Sequence, residues 1–136
     1  MHALVLPLNP VPASRPRVSR WGTYYGKRYN EFRKRGNEVL AELVSSPSNS
    51  DLFPLSGRLE VTAIFNVLRP RTTKLSVPRG DVDNYFKTLD ICNGVLWDDD
   101  NQIEIAHAVK RFADQGSIEL RIKEINDGDI LSICAT

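Results

Sequence analysis

The chain has 136 residues, of which 41% are hydrophobic and 26% are charged, and its formal net charge is +1. This length suits one compact domain over residues 1–136 and is too short for two ordinary domains. The N-terminus lacks a basic segment and Pro7 interrupts its apolar run, so we expect no secretory signal, and no window approaches the roughly 18 apolar residues of a membrane span. We therefore expect a soluble, cytoplasmic protein with no membrane partner.

The charge is divided unevenly along the chain. Residues 1–80 carry thirteen basic and five acidic side chains, a net charge of +8, whereas the remainder carries five basic and twelve acidic side chains, a net charge of −7. A basic half that binds a polyanion and an acidic half that holds cations are what a metal-dependent nuclease requires. An ordinary mixed surface with clustered charges explains the same division.

The first half of the chain predicts two strands, a long loop and a helix. Residues 4–8 are a short strand, and residues 13–26 form a loop because they carry turn residues without a helical period. A helix is expected from Asn30, as its N-cap, to Val44. Residues 58–68 alternate apolar and polar side chains, which indicates a half-buried strand.

The second half predicts a helix and two strands. After a basic loop over residues 69–80, a helix of about three turns begins at Asp81 or Val82 and stops at Asn93-Gly94. Residues 102–112 and 117–125 alternate like strands and are expected to pair as an antiparallel hairpin. The order β-α-β-α-β-β predicts an α+β fold, a single two-layer domain with a mixed four-stranded sheet and two helices.

Cysteine and histidine indicate no site of their own. Cys92 and Cys134 have neither CxxC spacing nor a nearby histidine, so we interpret them as reduced thiols, buried or incidental. His107 lies in a predicted strand with Ile105 and Val109 on the same side, which favours a packing role over a ligand role.

Two clusters of aspartates are the strongest chemical signal. Asp81 and Asp83 flank the first turn of the second helix, where carboxylates also cap N–H groups for about 0.3–1 kcal/mol each. Asp98, Asp99 and Asp100 precede a strand, where adjacent anions repel each other and no helix dipole offsets the repulsion. Two or three aspartates from two elements suffice for Mg²⁺, so the clusters suggest a cation site.

Lys87 follows Asp83 by four residues, so both side chains project from one side of the helix. A surface ion pair explains this spacing, and so does an ammonium that stabilises charge developing on a phosphate. Asp90 continues the same side and is explained equally by simple solvation.

The basic loops interleave charges with rings. Arginine and lysine reach phosphates while aromatic rings stack on unpaired bases, a combination typical of proteins that bind open nucleic-acid structures. Packing of the ring onto the sheet is an equal alternative for Trp21 and Tyr29. The residues concerned are Arg15, Arg17, Arg20, Trp21, Tyr24, Tyr25, Lys27, Arg28 and Tyr29.

The motif that joins the two aspartate clusters resembles a known family. Arg79-Gly-Asp81-Val-Asp83-Asn84-Tyr-Phe-Lys87, then Asp90, then Asn93-Gly94-Val-Leu-Trp97-Asp98-Asp99-Asp100-Asn-Gln102-Ile is similar to the signature of the RusA-type Holliday junction resolvases. The resemblance implies a homodimeric endonuclease, dependent on Mg²⁺ or Mn²⁺ in its place, that nicks symmetric strands of four-way DNA junctions. It also implies a role in recombination and repair in a bacterial or phage-infected cell.

The resemblance also implies roles for individual residues. The family's three essential aspartates fall on Asp81, Asp83 and, through the pattern aromatic-x-Asp-Asp-x-Gln, on Asp99. Asp100 is then a supporting metal ligand and Lys87 the functional lysine, while Asp98 leaves a one-residue ambiguity within the triplet. The residues expected to bind DNA phosphates are Arg15, Arg17, Arg20, Lys27, Lys74 and Arg79.

Two other functions fit parts of the pattern. A non-catalytic module that binds branched DNA needs the basic loops but uses the aspartates only as caps. A small metal-dependent phosphoesterase needs the aspartates but neither the basic loops nor a dimer. Metal-dependent nicking of branched DNA distinguishes the resolvase from both.

Overall fold

A mixed four-stranded sheet with helices packed on one face forms the body of the protein. The structure, a computed structural model, describes residues 1–14, 17–24 and 26–130, without the side chains of Arg17, Thr23 and Tyr24. Its elements are β1 (His2–Leu6), β2 (Arg17–Ser19), β3 (Gly22–Tyr24), α1 (Lys27–Ser45), β4 (Leu59–Leu68), α2 (Val82–Phe86), a first 3₁₀ helix (Lys87–Cys92), a second 3₁₀ helix (Asp100–Gln102), β5 (Ile103–Ala113) and β6 (Ser117–Glu124).

The sheet has the strand order β1-β6-β4-β5, with β4 and β5 parallel and the other pairs antiparallel. The α+β fold with a mixed four-stranded sheet is therefore confirmed. Alternate residues of β4 from Leu59 to Val67 are at most 8% exposed, as their pattern predicts. They pack with buried residues of α1 and with the fully buried Trp97 in one core.

The predicted hairpin between the last two strands is wrong. β6 pairs with β4 and β1, and β4 separates it from β5. The turn over residues 113–116 crosses the end of β4, where the N–H of Arg69 donates to the carbonyl of Ala113. Four residues can reach about 13 Å, and two strand spacings are about 9.6 Å, so the length of the turn does not distinguish a neighbour from a next neighbour.

The packing role predicted for His107 is also wrong. A register shift after Leu59 turns Ile105, His107 and Val109 towards the open face of the sheet, opposite Glu60, Thr62 and Ile64. His107 Nε2 lies 2.9 Å from a carboxylate oxygen of Glu60 on an exposed surface. Alternation places residues on two faces but does not say which face is covered.

The helices differ from their predicted bounds. α1 begins at Lys27 with Gly26 as its N-cap, three residues before Asn30, since buried Tyr29 and Phe32 extend its packed face. The second predicted helix is α-helical only from Val82 to Phe86 and continues as the first 3₁₀ helix. Its stop is confirmed, since Gly94 has a φ of +76°, which favours glycine.

The long loop predicted over residues 13–26 contains a two-stranded hairpin, β2–β3, turned at Arg20 and Trp21. Its strands have three residues each, too short to show a period-two pattern.

Cys92 is a buried thiol, as predicted, and burial raises its pKa well above the ordinary value. Cys134 lies outside the described residues. Within the described part of the chain, no helix is both long and apolar enough to cross a membrane.

Gly116 provides a test of how the turn after β5 packs. A Cβ at this position lies 2.6 Å from the Cα of Asn9, whose side-chain oxygen accepts a hydrogen bond from the N–H of Leu68. We expect Gly116→Ala to lower the free energy of unfolding by about 1–3 kcal/mol, because the backbone of Asn9 must move. Gly57→Ala is the matched control, since its Cβ meets nothing within 4 Å. Equal urea midpoints for the two variants would contradict the packing.

Candidate active site

The backbone that leads into α2 is held by side chains from the sheet and the helix. Lys110 of β5 donates from Nζ to the carbonyls of Pro78, at 2.8 Å, and Gly80, at 2.5 Å. The hydroxyl of Tyr85 donates to the carbonyl between them, that of Arg79, at 2.7 Å. The three carbonyls before Asp81 are thus all bound, which fixes where this aspartate enters the helix.

Gly80 and the segment before β2 complete this arrangement. Gly80 has a φ of +94°, and a Cβ there would lie 3.2 Å from the ring of Pro12. The N–H of Ala13 donates to the carbonyl of Asn84 at 2.8 Å, which attaches that segment to α2. Glycine is therefore required before Asp81 both by conformation and by space.

Asp81 and Asp83 occupy the first turn of α2, as predicted, and both are exposed. Asp81 is the N-cap residue, but its side chain makes no capping hydrogen bond. Capping therefore does not explain this carboxylate. Asp83 Oδ2 lies 3.7 Å from Nζ of Lys87, which confirms the predicted pairing of the two side chains across one helical turn.

Lys87 also lines a cleft of about 240 Å³ together with acidic side chains. We call it the carboxylate cleft, and it is lined by Phe86, Lys87, Leu89, Asp90, Asp100, Ile103 and Ala106. Asp90 Oδ1 accepts a 2.6 Å hydrogen bond from Nη1 of Arg33 in α1, so simple solvation does not describe it. The cleft brings one residue of the second aspartate cluster, Asp100, to the lysine that contacts the first.

The aspartate triplet begins a helical turn, contrary to expectation. Asp99 is the N-cap of the second 3₁₀ helix, and its Oδ1 accepts from the N–H of Asn101 at 3.0 Å. Gln102 completes a capping box by accepting from the N–H of Asp99 at 2.8 Å. The expectation that the triplet leads directly into a strand, with no helix to favour its charge, is therefore wrong.

The carboxyl groups of Asp99 and Asp100 lie within hydrogen-bonding reach of each other. This contact, together with partial desolvation and the negative charge of Asp99, raises the pKa of Asp100 above its ordinary value. A hydrogen bond from Asn93 opposes the rise. Two close carboxylates form a local excess of negative charge, and a bound cation would relieve it.

Asn93 is oriented by the core. The indole Nε1 of Trp97, which is fully buried, donates to Oδ1 of Asn93 at 2.8 Å. With its oxygen occupied, the amide presents its NH₂ group to Asp100. Gln102 ties the triplet down from the other side, since Nε2 donates to the carbonyls of Leu55 and Gly57 at 3.0 and 2.8 Å.

The predicted metal ligands Asp81, Asp83, Asp99 and Asp100 stay a prediction. Over residues 1–14, 17–24 and 26–130, no three or more Asp, Glu, His or Cys side chains form a ready-made metal site. The donor chemistry fits Mg²⁺ or Mn²⁺, because every candidate is a carboxylate and two of them approach each other closely. Asp81 does not line the carboxylate cleft.

The residues expected to bind DNA are exposed wherever the structure describes them. Arg20, Lys27, Lys74 and Arg79 all have exposed side chains. Arg15 lies outside the described residues, as does the side chain of Arg17.

Exposure decides between base stacking and packing for Trp21 and Tyr29. Trp21 is 85% exposed at the tip of the β2–β3 hairpin, with the guanidinium of Arg20 at 4.9 Å from its ring centroid. The packing alternative is therefore wrong for Trp21. It is confirmed for Tyr29, which is 4% exposed. Of these two rings, Trp21 is the one exposed for stacking on a base.

Sequence reasoning missed Arg33, Asn93 and Lys110 as supporting residues. Arg33 and Lys110 stand beside other charged residues in an amphipathic helix and an alternating strand, where solvated side chains are the ordinary expectation. Asn93 was seen only as a helix stop. No spacing rule links these residues to partners as far away as Arg33 is from Asp90, 57 positions along the chain.

Replacing Lys110 tests whether its hydrogen bonds to the carbonyls of Pro78 and Gly80 hold the start of α2. In Lys110→Met two carbonyls lose a charged donor, so we expect the amides of Asn84 and Tyr85 to exchange about tenfold faster or more, with the global unfolding transition retained. Lys123→Met is the control, because that exposed ammonium lies 3.4 Å from Asp129 and far from α2 in sequence. Amide hydrogen exchange is measured for both variants. Unchanged protection of Asn84 and Tyr85 in Lys110→Met would show that Lys110 does not hold the start of α2.

Comparison with known proteins now bears on this site. A comparison with curated proteins found no match. The profile of the family described as endodeoxyribonuclease RusA matches residues 7–123, which include both aspartate clusters, Lys87 and Lys110. The family acts on Holliday junctions by hydrolysing DNA, so this protein is a DNA-cleaving enzyme. The chain belongs to the RusA endodeoxyribonuclease family.

Proposed function

We propose that this protein resolves four-way DNA junctions by Mg²⁺-dependent, paired, symmetric nicks in DNA recombination and repair. The observation that carries the proposal is the carboxylate cleft, where Lys87, already paired with Asp83, meets Asp100 and, through it, Asp99. Lys87 thus contacts Asp83 of the first aspartate cluster and shares the cleft with Asp100 of the second, which supports a single site on an enzyme of this family. Family membership argues against a DNA-binding module without catalysis.

The residues of the site divide into metal ligands and supporting groups in this proposal. Asp81, Asp83 and Asp99 hold the metal, and Asp100 supports them. When bound, Mg²⁺ or Mn²⁺ supplies an activated water and neutralises charge on the scissile phosphate. The ammonium of Lys87 leaves the Asp83 carboxylate, 3.7 Å away, and stabilises the charge that develops on the phosphate oxygens. The Arg33–Asp90 ion pair keeps α1 against the first 3₁₀ helix, which begins at Lys87.

The DNA arms are held by side chains outside the cleft. Lys74 and Arg79 lie in the loop before α2, and Arg20 and Lys27 lie on the hairpin and the start of α1. Their exposed charges suit phosphate contacts, which position DNA without reading its sequence. Exposed Trp21 is placed to stack on a base at the branch. Arg15 and Arg17 belong to the same group by sequence.

Paired nicking requires two sites, so we propose that the protein acts as a homodimer. A two-fold dimer presents one site to each of two symmetric strands of a junction. Its place of action is the cytoplasm of a bacterial or phage-infected cell, where junction DNA is accessible. Sedimentation that gives a monomer at working concentrations would contradict the paired mechanism.

The triplet provides the sharpest test of the metal ligands. We expect Asp99→Asn to reduce Mg²⁺-dependent cleavage of a synthetic junction by about 100-fold or more, since even indirect metal partners contribute about 10- to 100-fold. Asp98→Asn removes the same charge one residue earlier and should cleave within a few-fold of wild type. Junction binding in EDTA should be unchanged in both. Equal cleavage by the two variants would show that Asp99 is wrongly assigned.

Asn93 tests whether the core orients Asp100. Asn93→Ala removes the amide that contacts Asp100, so we expect the Mg²⁺ concentration for half-maximal cleavage to rise about tenfold or more. It also leaves the indole N–H of Trp97 without its acceptor, which costs about 1–3 kcal/mol of stability. Asn101→Ala is the control, because Asn101 contacts Asp99 only through its backbone N–H. A loss of stability with an unchanged Mg²⁺ requirement would limit Asn93 to a structural role.

A further inference from the structure

A second cleft of about 230 Å³ lies beside the backbone that leads into α2. It opens between the segment before β2, the loop that precedes α2, and the ends of β4 and β5. We call it the proline cleft, after the four prolines that line it with two aromatic rings: Pro10, Pro12, Pro70, Pro78, Tyr85 and Phe112. Its volume is below the roughly 300–1,000 Å³ of pockets for whole drug-sized ligands, so a single planar ring system suits it.

The charges around the proline cleft all have one sign. Arg28 and Arg79 line it, and among the described residues no carboxylate does. Burial raises the pKa of Tyr85 and the positive charge of Arg28 opposes that rise, which places this guanidinium near the phenol. Arg69 lies 4.5 Å from the ring centroid of Phe112. An apolar cleft with a cationic rim suits a flat group attached to an anion.

The position of the proline cleft relates it to the cleavage site. Gly80 lines the cleft, and the next residue is Asp81, a proposed metal ligand. The cleft wall and the aspartate are held by the same contacts, since Lys110 binds the carbonyls of Pro78 and Gly80. A ring bound in the cleft is therefore held in a fixed relation to the first aspartate cluster.

We propose that the proline cleft takes one unstacked base of the DNA strand being cut, with Arg28 and Arg79 on its neighbouring phosphates. The inference rests on the proposed function, because it places the base next to the phosphate that is cut at the proposed metal site. A base leaves the stack most readily at a branch, where pairing is already interrupted. Selection of branched DNA over duplex follows from this requirement.

The test fills the cleft. Leu75 and Val77 are both exposed apolar residues of the loop before α2, and only Leu75 lines the cleft. Leu75→Trp closes it, and Val77→Trp is the matched control. Affinities are measured in EDTA for synthetic four-way junctions that carry one abasic site at successive positions around the branch. Thermal melting checks folding, and if Leu75→Trp fails to fold, Thr73→Trp with Thr72→Trp as control replaces it.

We expect wild type and Val77→Trp to lose about 5- to 100-fold in affinity when the abasic site falls at one position near the cut. Leu75→Trp should bind intact junction more weakly and lose nothing further at that position. The proposal that the cleft binds a base would be overturned if wild-type affinity did not depend on the abasic position, or if all three proteins showed the same loss.

Nicking of intact junction by the wild type in Mg²⁺ is measured separately. If the wild type nicks the junction but its affinity does not depend on the abasic position, only the base-binding role of the proline cleft is rejected. One that shows the position-specific loss but never nicks rejects only the proposed function.

Discussion

The contact on which the site depends is the one between the ammonium of Lys110 and the carbonyls of Pro78 and Gly80. A half-buried ammonium needs acceptors, and carbonyls in a turn need donors, so each group satisfies the other. Because Lys110 lies in β5, the contact ties the start of α2 to the sheet. Asp81 and Asp83 at the entry to α2, and the wall of the proline cleft, both take their positions from it.

The parallel pairing of β4 and β5 brings Asp100 of the second aspartate cluster to the cleft that Lys87 lines. A parallel pair needs a crossover, and here the crossover consists of α2 and the 3₁₀ helices. The chain turns at Gly94, buries Trp97 and then presents Asp99 and Asp100 at the start of β5. Lys87, the first residue of the first 3₁₀ helix, lines the carboxylate cleft together with Asp100. The closeness of Lys87 and Asp100 follows from this topology.

The predictable parts are those in which one residue pattern has one physical solution. β4 alternates because one of its two faces packs in the core, and Asp83 meets Lys87 because four residues make about one helical turn. The pairing of β6 with β4, the open face occupied by His107 and the role of Lys110 depend on which strands become neighbours. Alternation in β5 contains no information on that choice. Arg33 and Asn93 were missed for the same reason, since their partners are set by packing.

The capping role of Asp99 does not compete with a metal role. A carboxylate has two oxygens with about four lone-pair sites, and the backbone N–H groups of Asn101 and Gln102 use two of them. The capping box fixes the backbone of Asp99 through Gln102, which is itself anchored to Leu55 and Gly57. A carboxylate oriented in this way loses less entropy when it binds a cation than a free one does. Asp98 carries the same charge without this fixation, so orientation distinguishes the middle residue of the triplet from its neighbour.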